Sequence, residues 1–157
     1  MPPPLDIVLT DTADEATARV LLDGLNAHNT AAAGPHHYRP LTIAVRRPGA
    51  PAPVGGLVGY SVFGWLFIHL FYLPAELRRS GLGTALLRRA EEEARGRGCT
   101  GVFLDTFSFQ ARPFYERQGY RVFGSIEDHP PGHARHFLMK RLEGDAAGAG
   151  GSQHVPA

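Results

Sequence analysis

Seven consecutive residues, Arg78-Arg79-Ser80-Gly81-Leu82-Gly83-Thr84, are built to meet an anion. An apolar aromatic run from Leu66 to Leu73 precedes them and stops at Pro74, which has no N–H to give to a sheet ladder. Behind them Leu82, Ala85, Leu86, Ala90 and Ala94 recur at helical spacing. The order is therefore strand, glycine-containing turn, helix N-terminus. The first N–H groups of a helix have no intrahelical acceptor, and with the helix dipole they favour negative charge. Gly81 and Gly83 remove side chains where a phosphate must approach the backbone. Two familiar phosphate loops do not fit. The P-loop needs a lysine after its last glycine, and the dinucleotide fingerprint needs a third glycine where Leu86 stands.

His69 is the titratable side chain in the apolar run. Strand periodicity puts it on one face with Phe67 and Phe71. An imidazole with a pKa near ~6.5 is an apt proton acceptor at neutral pH, although a histidine among aromatics also serves as a packed core residue. Trp65, Phe67, Phe71 and Tyr72 have the same two readings, an apolar acceptor pocket or core. His36, His37 and Tyr38 lie in an irregular stretch, and His133 lies beside a loop, where they are candidates to rim a substrate site. No carboxylate or cysteine accompanies the histidine pair at ligand spacing, so no metal is expected. Cys99 is the only cysteine, follows a helix stop, and reads as structural.

A second motif lies downstream, Leu104-Asp105-Thr106-Phe107-Ser108-Phe109-Gln110-Ala111-Arg112-Pro113-Phe114-Tyr115-Glu116-Arg117-Gln118-Gly119-Tyr120. Together with Arg78-x-x-Gly81-x-Gly83 it resembles the GNAT acetyltransferase superfamily. Members carry an Arg/Gln-x-x-Gly-x-Gly/Ala turn, then a strand leading into an Asn-x-x-Ala-x-x-Phe/Leu-Tyr-Glu-Lys-x-Gly-Phe/Tyr helix and turn. Ala111, Phe114, Tyr115, Glu116, Gly119 and Tyr120 match. Ser108 stands where the family often has Asn, and Arg117 replaces the usual Lys.

The resemblance implies a mixed α/β fold with a central, mostly antiparallel sheet, splayed in the middle and flanked by helices. It implies acetyl-CoA as cosubstrate. Phe71, Tyr72 and Leu73 would lie along the pantetheine arm on a strand that parts from its neighbour at a bulge. Arg78, Arg79, Ser80, Gly81, Leu82, Gly83 and Thr84 would surround the pyrophosphate, with Ser108 and Phe114 as further cofactor contacts. Tyr115 matches the tyrosine near the coenzyme sulfur, a candidate general acid, whereas its alternative is a core tyrosine. His69 lies on the strand where members often carry a glutamate that serves as base or water holder. Tyr115 and His69 are the catalytic candidates, and His36, Tyr38, Phe67 and His133 the acceptor-site candidates. The expected reaction is direct N-acetylation of a small primary amine in a ternary complex. Acetylation of a protein lysine or N-terminus, or acyl-CoA binding without catalysis, are the competing readings.

The chain has 157 residues, enough for one domain with a hydrophobic core. Its formal net charge is +1, which gives no long-range field for nucleic acid or an anionic membrane. No apolar run approaches the ~20 residues of a membrane span, and the opening Met1-Pro2-Pro3-Pro4-Leu5 does not read as a signal peptide. A cytoplasmic enzyme is expected, with a homodimer as an allowed assembly.

In chain order, Leu5 to Thr10 reads as a strand, and a helix capped at Asp11 or Thr12 fades near Asn26 to Thr30. Leu41 to Arg46, then Val54 to Phe63 with the run from Trp65, read as strands, the latter two as a hairpin about Gly64. After the helix from Thr84 to Arg97 come a strand over Gly101 to Phe107, a helix over Gln110 to Gln118, and strands over Gly119 to Phe123 and His133 to Leu142. Arg88 with Glu92, Arg89 with Glu93, and Glu91 with Arg95 read as pairs on a solvated helix face. Residues 1–143 form the expected domain, and 144–157, rich in Gly and Ala, a disordered tail.

Overall fold

A computed structural model describes residues 1–143; the expected tail at 144–157 lies outside the described residues. Two compact units divide the chain, Met1–His36 and the part from His37 onward. The first holds helix α1, Glu15–Ala33. Its cap is Asp14 rather than Asp11 or Thr12, with Oδ1 accepting the N–H groups of Ala16 and Thr17 at 3.1 and 3.2 Å. The helix does not fade at Asn26 but runs on to Gly34, whose N–H closes on the Thr30 carbonyl. Leu5 to Thr10 is not a strand. Its alternation satisfies only half of what a strand needs, because this unit offers no second strand to complete the ladder.

The second unit is a six-stranded sheet, β1 (Arg39–Arg46), β2 (Pro53–Val62), β3 (Trp65–Tyr72), β4 (Gly101–Phe107), β5 (Arg121–Glu127) and β6 (Ala134–Arg141). Helix α2 (Leu82–Gly96) joins β3 to β4, and the short α3 (Arg112–Arg117) follows β4. Strand order is β1-β2-β3-β4-β6-β5, antiparallel except for the central β3–β4 pair. A strand–helix–strand crossover makes that pair parallel, as it must. One face of the sheet carries the core: Leu57, Leu66, Ile68, Val102, Leu104 and Leu138 pack with Leu87, Ala90 and Ala94 of α2. No helix is long and apolar enough to cross a membrane among the described residues.

The charged face of α2 differs from the expected ladder of i,i+4 pairs. Glu91 is turned inward and only 4% exposed. It accepts the Tyr120 hydroxyl at 3.0 Å and Lys140 Nζ at 3.0 and 3.1 Å. A carboxylate so far from water needs such partners. Arg97, past the helix end, spends its guanidinium on Glu93, on the Arg39 and Pro40 carbonyls and on Ser61 Oγ, tying α2 to β1 and β2.

Two irregularities at the centre shape everything functional. The parallel ladder between β3 and β4 covers only Trp65↔Gly101 to Ile68↔Leu104. Beyond it β3 stays paired to β2 and β4 stays paired to β6, so their facing edges separate. At the same point β3 bulges. Leu70 pairs with Val58 and Ile68 with Gly59, which leaves His69 as the extra residue. The bulge presses β3 against β2 at Gly59, where any Cβ would overlap the Phe67 carbonyl oxygen and lie 3.2 Å from Ile68 Cα. Gly59→Ala should therefore cost about 1–3 kcal/mol, the range for overpacking a closed site, read as a lowered urea midpoint at unchanged slope. A wild-type midpoint would show that the bulge is not held by this contact.

Candidate functional site

Between the parted edges lies a cleft of about 850 Å³. Of the residues singled out from the sequence, His69, Phe71, Tyr72, Leu73, Arg78, Arg79, Gly81, Gly83, Thr84, Phe114 and Tyr115 line it. Ser80, Leu82, Ser108, Phe67, His36, Tyr38 and His133 do not.

The α2 end gathers arginines and unpaired backbone N–H groups. Arg79 and Gly81 both have positive φ, 59° and 82°, and the alternation curls the backbone before the helix. Such concave turns of successive N–H groups favour anions. The first intrahelical bond runs from Ala85 N–H to the Gly81 carbonyl at 3.0 Å, so the N–H groups of Leu82, Gly83 and Thr84 precede the ladder. Ser80 and Leu82 contribute backbone to the turn, while the Ser80 hydroxyl turns back to the Leu77 carbonyl at 2.8 Å. Arg78 braces the turn: Nε donates to the Leu73 carbonyl at 2.8 Å, and the guanidinium lies over the Tyr72 ring. A Cβ on Gly83 would lie in ordinary contact with the Phe114 ring at 3.5 Å, so the gap between α2 and α3 has room for one carbon and little for a branched side chain. Gln118 Nε2 to Thr84 Oγ1 at 3.1 Å fixes the C-terminal end of α3, with Arg117 beside it, to the start of α2.

Tyr115 lines the cleft from the core side. Its ring packs on Phe71, Phe114 and Tyr120, and the residue is 6% exposed. Its hydroxyl has no protein hydrogen-bond partner among the described residues. Burial, with the charge of Asp105 adding to it, pushes its pKa up to about 12. Tyr120, which holds Glu91, is raised further for the same first reason, burial.

The bulge corrects the expected face of Phe71. Phe67 and His69 do share a face, their rings stacked with centroids 6.0 Å apart. Past the extra residue the alternation shifts, and Phe71 turns to the core side against Phe114 and Tyr115. His69 is exposed rather than buried among aromatics. Tyr38, Tyr60 and Phe67 form a line of ring contacts leading to it, with centroids 5.3 and 5.5 Å apart. Ser108 is not a cleft residue: its hydroxyl accepts the Ala134 N–H at 3.0 Å and lies 3.5 Å from His133 Nδ1. His133 reaches the cleft only through Phe109, its ring packed edge-on at 4.9 Å. His36 falls in the Met1–His36 unit.

Sequence reasoning missed Asp105 and Gln110. Both lie inside the quoted motif, yet nothing in their spacing separates them from framework. Gln110 Oε1 accepts the Phe107 N–H at 2.8 Å and so closes the strand end over the cleft. No group of three or more His, Cys, Asp or Glu close enough to hold a metal occurs among the described residues. Cys99 is buried, which raises its thiol pKa and keeps it from acting as a nucleophile.

Residues 13–120 match the model of the Acetyltransferase (GNAT) family. Acetyltransferase Atu2258 of Agrobacterium fabrum is 38% identical over 138 residues, covering 88% of this chain and all of that protein. Blasticidin-S acetyltransferase of Streptomyces morookaense is 47% identical over 89 residues, 56% of this chain and 65% of that one. A crystal structure from Agrobacterium tumefaciens, described as an acetyltransferase, superposes with a TM-score of 0.83 at 38% identity, covering 88% of this chain and 100% of the other. The family match runs through both the α2 turn and the α3 motif, so the chain belongs to the GNAT acetyltransferase family, enzymes that take their acyl group from acetyl-CoA.

Proposed function

We propose that the protein transfers acetyl directly from acetyl-CoA to a primary amine carried by a small molecule, with both substrates bound at once in the cytoplasm. The observation that carries this is the cleft itself, an anion turn at one end and an unpartnered, protonated Tyr115 hydroxyl between two strand edges. The residues fit the cosubstrate. The curled N–H groups at Leu82 to Thr84, with Arg78, Arg79 and Arg117, suit a pyrophosphate. The free edge of Phe71 to Leu73 suits the amide-bearing arm. Among the relatives, the name Blasticidin-S acetyltransferase supports a small-molecule acceptor.

Acetyl-CoA supplies an activated acyl group as a thioester. The protein's own part has three demands. An alkyl amine, pKa near ~10.4, is almost wholly protonated at neutral pH, so something must take its proton. His69, exposed at the bulge, is the candidate acceptor, directly or through water. Negative charge developing on the carbonyl oxygen calls for fixed N–H donors, which the unpaired edge of β3 can supply. A departing thiolate leaves more readily when offered a proton, and Tyr115 keeps one on its hydroxyl oxygen. No covalent acetyl-enzyme is needed, since no activated nucleophile lines the cleft.

The direct test is thiol release from acetyl-CoA against a panel of amines, amino acids, aminoglycosides and peptides. Binding without release across the whole panel would leave a non-catalytic coenzyme-binding module. Gly83→Val should weaken coenzyme A binding more than tenfold in a folded protein, because the added methyl groups enter the space between the turn and Phe114; calorimetry showing unchanged affinity would sink the assignment of the turn. Tyr115→Phe should lower kcat roughly ten- to ten-thousand-fold, the general-acid range, with little change in coenzyme affinity. An unaltered kcat where chemistry limits the rate would make Tyr115 a packing residue only.

The raised Tyr115 pKa has a signed consequence for pH. The fold favours the neutral phenol, whereas the unfolded chain ionises near ~10. The stabilisation is complete below pH ~10 and is lost as pH climbs from there toward about 12. Urea midpoints should therefore fall less steeply above pH ~10 in Tyr115→Phe than in wild type, the remaining fall coming from the other buried groups whose pKa is raised, Tyr120 and Cys99. Identical slopes would contradict the buried, protonated state.

A further inference from the structure

Charge is divided along the cleft. Arg78, Arg79 and Arg117 line the α2 end, and Asp105 is the one carboxylate lining it among the described residues. Asp105 is the first residue of β4 after the last paired position, Leu104, as His69 is the first of β3 after Ile68. The two therefore flank the point where the strands part. They also share a face. Phe67 and Phe103 pack ring to ring at 4.8 Å, His69 stacks on Phe67, and Asp105 lies two residues beyond Phe103. Tyr115 approaches from the opposite, core side. The cleft thus passes through the sheet, with Tyr115 on one side and the His69–Asp105 pair on the other.

Asp105 is held in a fixed position. Its Oδ1 accepts Arg135 Nε at 2.9 Å within an ion pair, and Oδ2 accepts no protein hydrogen bond among the described residues. The Arg135 guanidinium is itself pinned between the rings of Phe107 and Phe137, 5.7 and 5.2 Å from their centroids. The Asp105 side chain is 18% exposed, enough to be reached from the cleft. Beside it Phe107 and Phe109 are stacked, centroids 5.2 Å apart and planes 5° from parallel, and both line the cleft. A carboxylate oxygen left open next to aromatic rings is a receptor for an ammonium on an apolar or planar body.

We propose that Asp105 is the acceptor-binding residue, taking a cationic ammonium at its free oxygen while Phe107 and Phe109 take the adjoining body. This rests on the acetyltransferase reading above and deepens it: the acceptor is a cation that arrives from the face opposite Tyr115. The carboxylate recognises the protonated amine, and the proton then passes to a neighbouring group such as His69 or to water before attack. Arg135 is a positioning residue that keeps the carboxylate in place.

The test uses the full-length protein with saturating coenzyme A, so that the arginine end is filled. Benzylammonium and its neutral counterpart benzyl alcohol are titrated separately and followed by NMR. Wild type should bind benzylammonium at least tenfold more tightly than benzyl alcohol. Asp105→Asn, whose amide oxygen still accepts from Arg135, should lose that preference and keep its benzyl alcohol affinity. If wild type shows no preference for the cation, or if folded Asp105→Asn keeps it, the proposal is overturned and the Asp105–Arg135 pair is only a brace between strands. Thiol release is measured independently. Cation preference without turnover on any amine would count against the enzyme reading alone; turnover with Asp105-independent affinity would sink the cation site alone.

Discussion

Everything functional in this protein depends on two strands that stop pairing. β3 and β4 share only four registered positions, and neither strand ends where the pairing ends. Each is held on its outer edge by an antiparallel neighbour, so separation costs only the central ladder and not the strands. The bulge at His69 starts the divergence, and Gly59 lets the neighbouring strand accommodate it. Backbone N–H and C=O groups that would be satisfied in a continuous sheet are turned toward the gap. A sheet interior is ordinarily the least reactive part of a protein; here it is opened to provide oriented dipoles in a partly dry setting.

Side chains from both layers then converge on that gap. α3 is short, but Gln118 to Thr84 and the edge-on ring contacts of Phe71, Phe114 and Tyr115 fix it against α2 and β3. This is what buries Tyr115 and keeps its proton. Glu91, Tyr120 and Lys140 form a second polar network nearby, which anchors the turn after α3 to α2.

Much of the cleft lining was legible because it is local in sequence. The turn from Arg78 to Thr84 combines its own backbone signals, glycines and a helix start, and Tyr115 was carried by a motif. The six strands of the sheet were read in order, with ends shifted by a few residues. What periodicity missed was long-range. The Phe71 face follows from an extra residue in β3 that shows only against β2. Glu91 looks solvated beside Arg88 and Arg95 until Lys140, far along the chain, reaches it. Ser108 sits at a family position, yet β6 captures its hydroxyl. Asp105 resembles an ordinary edge residue until the place where pairing stops is known. In the Met1–His36 unit, alternation over Leu5 to Thr10 suggested a strand that has nothing to pair with.

The short seam also has a mechanical meaning. It divides the sheet into two three-stranded antiparallel halves, β1-β2-β3 and β4-β6-β5, sewn together by four residue pairs and the crossover through α2. A ligand that lies in the gap and bonds to both exposed edges takes the part of a missing strand. It joins the halves by contacts that the empty protein does not make, so occupancy and rigidity of the sheet become one equilibrium. Release of product from such a site is then, in part, the unstitching of the sheet.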